Sequence, residues 1–101
     1  MKLQMQSVHF DADPKLLEFI QKKADKLETF YDRIIDGDVF LRLEKGTEKV
    51  HKKVVEVKLN IPGQTLFSKQ EAESFEAATD EAVEALRRQL KRFKEKHFSH
   101  H

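Results

Sequence analysis

Five histidines, at positions 9, 51, 97, 100 and 101, are the first residues to test for chemistry, as metal ligands or proton carriers. None stands in a His-x-x-Glu-His arrangement, and they form no helical zinc site with a catalytic glutamate. The last three could chelate a metal only loosely, from what reads as a frayed chain end. Serines 7, 68, 74 and 99 lack the Gly-x-Ser-x-Gly turn that exposes a nucleophile. The three glycines are isolated, so no loop of backbone amides cradles a phosphate. There is no cysteine, which removes thiolate nucleophiles, thiolate metal ligands and disulfides. Carboxylates are plentiful, but their spacing puts them on solvated faces rather than in a shared acid–base pocket. The chain is therefore read as a non-enzyme, with no cofactor, no metal and no small-molecule substrate.

The residue types that do cluster are cations. In "ALRRQLKRFKEKH", residues 85–97, Arg87, Arg88, Lys91, Arg92, Lys94 and Lys96 stand against the single acid Glu95. The preceding 84 residues carry 13 Lys and Arg against 17 Asp and Glu, so a net charge of +1 conceals a sharp separation. At about 100° per residue, Arg87, Lys91 and Lys94 share one flank of a helix, and Arg88, Arg92 and Lys96 the other. Complementing the helix dipole is the structural reason for such residues, at about 0.3–1 kcal/mol per favourable charge. Six cations against one acid exceed what a dipole needs.

A second basic stripe lies upstream. In "DPKLLEFIQKKADKLETFYD", Lys15, Lys22 and Lys26 share a helical face with Lys23 beside it, while Glu18, Asp25, Glu28 and Asp32 lie towards the opposite side. If the fold sets the two basic flanks side by side, they form a continuous surface for a polyanion, gripped through phosphates and sensitive to salt. Phe19 and Phe30 sit near the rim of that helix, where they pad the core edge or stack on a base. No aromatic-rich strand motif is visible, so backbone and shape recognition by the helices is expected rather than base reading.

The elements that position these cations follow from hydrophobic periodicity. Lys2 to Phe10 reads as a strand whose period-two phase slips near Ser7, marking a bulge or an early end. Asp13-Pro14 is a helix start, N-cap then first position, and the helix runs to about Phe30 or Tyr31. Leu17, Ile20, Ala24, Leu27 and Tyr31 form its expected buried stripe. Val39, Leu41 and Leu43 alternate along one strand, and Val55, Val57, Leu59 and Ile61 along the next, with a flexible hairpin tip expected between them. "PGQ" at 62–64 is a turn, and residues 65–72 make a fourth strand. Ser74 caps a last helix reaching His97, with Phe75, Ala78, Ala82, Val83, Leu86, Leu90 and Phe93 as its apolar stripe.

The order β-α-β-β-β-α implies an α+β fold, a four-stranded, antiparallel-rich sheet with two helices on one face, similar to a double-stranded RNA-binding domain. The opposite sheet face is expected to be polar and wet. With 101 residues and 39% hydrophobic content, one domain spanning 1–97 is expected, with 98–101 as a flexible tail. No apolar run suits a signal peptide or a membrane span, so a cytoplasmic protein is expected.

The last helix, "AESFEAATDEAVEALRRQLKRFKEK", resembles that of the ribosome hibernation factors, the family of hibernation promoting factor and ribosome-associated inhibitor once called sigma-54 modulation proteins. The matching positions are Ala78, Asp80, Leu86, Arg88, Gln89, Leu90, Arg92, Lys94 and Lys96. The chain departs from the family pattern at Ser74-Phe75-Glu76, in place of an acidic-x-Tyr, and at Thr79, in place of isoleucine. The first helix also resembles the family's, and the similarity covers essentially the whole chain. The resemblance implies a protein that lays two helices on the small ribosomal subunit, in the decoding channel for messenger and transfer RNA, and inhibits translation under stress or in stationary phase. It implies ribosomal RNA contacts from Lys22, Lys23, Lys26, Arg87, Arg88, Lys91, Arg92 and Lys94, in a short form that is monomeric off the ribosome. A general structured-RNA-binding module and a domain docking on an acidic protein remain as alternatives. A helix lying on a membrane surface is disfavoured because the sheet already uses its apolar stripe.

Overall fold

A computed structural model describes residues 1–45 and 51–98 of the chain. Strand β1, Leu3–Ser7, ends where the apolar phase slips. Two residues later His9 adopts φ 65°, a left-handed conformation uncommon outside glycine. The chain then brings the Phe10 ring onto Phe75, stacked at 5.2 Å. Helix α1, Pro14–Phe30, starts with the Asp13 carboxylate accepting from the Lys15 backbone N–H at 2.8 Å. Its buried stripe is Leu16, Ile20, Ala24 and Leu27, continued by Tyr31. Leu16 thus takes the place expected for Leu17, which is only partly buried at the edge of the core. Steps of four, four, three and four from Leu16 keep to one face more closely than a start at Leu17 does.

Strands β2 (Asp36–Lys45), β3 (His51–Ile61) and β4 (Gln64–Ala72) complete a sheet of order β1-β2-β3-β4. β1 pairs parallel to β2, because α1 carries the chain back across the sheet before β2 begins. The other pairings are antiparallel. Pro62 and Gly63 form the tight turn between β3 and β4, and Gly63 supplies the positive φ of 86°. The expected flexible tip between β2 and β3 falls on residues outside those described. Gly37 serves a different purpose. A Cβ there would lie 2.7 Å from Leu3 Cδ2 and 2.8 Å from the Lys58 carbonyl oxygen, so its absence lets β1 lie close against β2.

Helix α2, Phe75–Phe98, is capped by Ser74, whose hydroxyl accepts from the Ala77 N–H at 3.0 Å. The helix extends one residue past the expected end and takes in Phe98, the first residue of the expected tail 98–101, whose other residues lie outside those described. Ala78, Ala82, Leu86 and Leu90 are fully buried against Val39, Leu41, Val55, Val57, Leu59, Ile61 and Leu66, with Leu16, Ile20 and Leu27 of α1 in the same core. Burial of leucine-sized side chains contributes about 1.5–3 kcal/mol each, which is what fixes both helices on one sheet face. Thr79 is also fully buried. Its hydroxyl donates to the Phe75 carbonyl at 2.7 Å, so the polar group costs little where an aliphatic side chain would also fit.

Leu43, expected inward, is 42% exposed. It lies level with Lys53 and Ala72, where β4 ends and α2 has not yet begun, so no helix covers it. The outer sheet face is mostly polar, as expected, although Phe40 and the fully buried Val54 also lie on it. Arg42 pairs with Glu56, Lys52 lies 3.8 Å from Glu71 and Lys69 lies 4.0 Å from Glu44. Phe67, on the same face, is 46% exposed.

Candidate nucleic-acid interface

The two helices run in the same direction. Contacts between their neighbourhoods advance along both at once, from Phe10–Phe75 through Lys23–Asp80 to Tyr31–Phe93. This places one flank of each helix along a shared seam, and the flanks are the basic ones. From α1, Lys23 reaches Asp80 of α2 at 3.2 Å and also lies over the Phe19 ring at 5.4 Å. From α2, Lys94 donates to the Phe30 carbonyl at 2.9 Å and lies 4.5 Å above the Phe30 ring. That contact satisfies one of the orphan carbonyls at the end of α1. Phe19 and Phe30 are partly buried at the core edge, each beneath a cation.

The acidic flank of α1 turns the other way, towards the chain's first residue. The Met1 ammonium pairs with Asp25 at 2.9 Å and with Glu28, while Gln21 donates to the Met1 carbonyl and to Asp25. Its hydrogen bonds to Glu28 and Asp25 hold the ammonium above its ordinary pKa. Burial alone would raise the Asp25 carboxyl, but the hydrogen bonds from Met1 and Gln21 and the ammonium's charge together hold it below its ordinary value. Two of α1's acids are therefore occupied on the side away from the seam.

The eight cations singled out from the sequence fall into two groups. Lys22, Lys26, Lys91 and Arg92 are exposed and make no ion pair among the described residues. Lys23 and Lys94 bridge the seam, as described. Arg87 and Arg88 are exposed but share a carboxylate: Glu84 accepts from Arg87 Nη2 at 2.8 Å and Nε at 3.1 Å, and lies 3.7 Å from Arg88. The Arg87 hydrogen bond holds the Glu84 carboxyl below its ordinary pKa and raises the guanidinium. Glu84 was not singled out from the sequence, although its spacing of three and four residues from the two arginines is a legible signal.

Lys91 and Lys94 belong to the seam flank with Arg87. Arg92 and Lys96 lie on the other flank with Gln89, over a shallow depression of 240 Å³ beside β4. There Gln89 donates to the Phe67 carbonyl at 2.8 Å, covering part of the open edge of the sheet. Among the described residues no three His, Asp or Glu side chains gather in metal-binding geometry. No described helix is long and apolar enough to cross a membrane.

A four-stranded sheet backed by two parallel helices, with cations lining the seam between them, defines a class of domain suited to gripping a polyanion rather than enclosing a small molecule. Within that class the chain belongs to the family described as Sigma 54 modulation protein / S30EA ribosomal protein, whose sequence profile matches residues 3–97. A relative from Pseudomonas putida, named ribosome hibernation promoting factor, is 31% identical over 96 residues, covering 95% of this chain and 89% of the relative. One of the same name from Escherichia coli K12 is 30% identical, covering 95% and 96%. A solved ribosomal subunit interface protein from Coxiella burnetii has the same fold, with a TM-score of 0.80 and 26% identity over 93% of this chain and 98% of its own.

Proposed function

We propose that this protein is a ribosome hibernation factor, binding the small subunit in the decoding channel and blocking translation under stress or in stationary phase. The observation that carries the reading is the juxtaposition of the basic flanks of α1 and α2 across one seam. Relatives at about 30% identity and near-complete coverage bear the hibernation name. Lys22, Lys26, Lys91 and Arg92 meet ribosomal RNA phosphates directly. Lys23, Arg87, Arg88 and Lys94 contribute after exchanging or sharing their present partners. The protein acts by occupying the channel and does no bond chemistry. It works in the cytoplasm as a monomer off the ribosome, the domain comprising the described sheet and helices.

Co-sedimentation of the purified protein with vacant ribosomes and separated subunits, across a salt series, tests this. Saturable binding to the small subunit, displaced by messenger and initiator transfer RNA, is expected. Failure to pellet at low salt with a folded protein would overturn it. Equal affinity for free duplex RNA would point instead to a general RNA-binding module, and binding that survives nuclease digestion to an acidic protein partner.

A further inference from the structure

The helical seam leaves one feature of the molecule unused. On the outer sheet face, among ion-paired side chains, the Phe67 ring is 46% exposed. The helices cover the other face, and the neighbouring β4 residues Leu66 and Ser68 are the ones that point into it.

The surroundings of the ring carry both signs of charge, with Asp38 and Glu56 on the same face. Lys58 lies directly opposite it on β3, exposed and without an ion pair among the described residues. Lys69 follows two residues along β4 on the same face and is paired with Glu44 at 4.0 Å. The remaining cations of the face are already engaged, Arg42 by Glu56 and Lys52 by Glu71. The backbone beneath the ring is fixed from the edge by the Gln89 amide on the Phe67 carbonyl. An exposed aromatic ring with an unpaired lysine opposite it on a sheet is an arrangement on which an unpaired base stacks while its phosphate meets a cation.

We infer that the outer sheet face is a second RNA-contact surface, on which one unpaired nucleotide stacks on Phe67 with its phosphate at Lys58. The inference rests on the ribosome-binding reading, and gives the domain two opposed contact faces. The helices take backbone phosphates on one side, and the sheet takes a splayed base on the other. A molecule gripped from both sides fills a channel rather than lying on a wall.

The test compares wild type, Phe67→Leu, Phe67→Tyr and Lys58→Gln on purified small subunits, each checked as folded by circular dichroism. Phe67→Leu keeps an apolar side chain but loses the ring, and should weaken binding about 5- to 100-fold without changing the salt slope. Phe67→Tyr should retain wild-type affinity. Lys58→Gln should weaken binding and lower the magnitude of the slope by at most about one. A photoreactive Phe67→p-benzoylphenylalanine variant should cross-link to ribosomal RNA. Wild-type affinity in Phe67→Leu, or a cross-link to a ribosomal protein, would overturn the inference while leaving the helical grip intact. Failure of every variant and of wild type to bind would remove the ribosome reading itself, and this inference with it.

Discussion

Four of the eight cations make no ion pair among the described residues, and two are held by Glu84, so substitutions within one helix should behave differently. The double substitution Lys91→Gln and Arg92→Gln removes two exposed, unpaired charges from α2. Each phosphate contact contributes about 0.9 to the slope of log affinity against log salt on a duplex, so two lost contacts lower its magnitude by about 1.8. Between about 50 and 200 mM salt, the affinity deficit of the double variant should therefore shrink about tenfold. Arg87→Gln should do less. Its guanidinium must exchange the Glu84 carboxylate for phosphate, and its removal leaves Glu84 free to engage Arg88, now 3.7 Å away. A slope change of about half that for a single free contact is expected. Glu84→Gln reverses the sign. It releases both arginines and removes a negative charge from the exposed back of the helix, so binding should tighten and the slope steepen by up to about one. The assay is co-sedimentation with small subunits at six or more salt concentrations. A double-variant deficit that is equal at every salt, or a Glu84→Gln protein no tighter than wild type, would refute the reasoning. The gain in affinity is the stronger arm, because misfolding cannot produce it.

Other outcomes test the scaffold. Gly37→Ala should destabilise the domain by about 1–3 kcal/mol, read from the urea midpoint, because the new Cβ meets the Lys58 carbonyl oxygen and Leu3. Ser74→Ala removes the cap on the Ala77 N–H and should cost about 1 kcal/mol, while Ser74→Asp should restore it. Stability should also report the Met1 clasp. The Asp25 carboxyl is held below its ordinary 3.8, so its contribution is present above that value and lost as pH falls through the depressed one. The Met1 ammonium is raised above 8.0, so its contribution is complete below 8.0 and lost as pH rises through the raised value. Urea midpoints should show a plateau between these limits that loses its alkaline edge on acetylation of the amine.

The fold was legible because its elements announce themselves locally. Asp13-Pro14 and Ser74 start helices, Pro62-Gly63 turns the chain, and Val55 to Ile61 alternates without a break. The errors lie where neighbours decide. Leu43 keeps the strand period yet is exposed, because the covering helix begins too late to reach it. Leu16 rather than Leu17 is buried because α1 rotates to meet α2 as well as the sheet. Thr79 stands where the family pattern has isoleucine and is buried as an aliphatic residue would be, its hydroxyl satisfied one turn back. At the interface, charge and helical phase were readable, since they depend only on spacing. The Lys94 contact with Phe30 joins residues 64 apart in the chain, and no local pattern encodes it.

That contact has a thermodynamic consequence. Lys94 on the Phe30 carbonyl, with Tyr31 edge-on to Phe93, fastens the last turns of α2 to the end of α1. Terminal turns that would otherwise fray are already folded, so the cations they carry need no ordering when a polyanion arrives. Binding then draws on released counterions without the heat-capacity change that accompanies coupled folding. Calorimetry should find a small change in heat capacity. The binding enthalpy should consequently vary little between a cold and a warm cell.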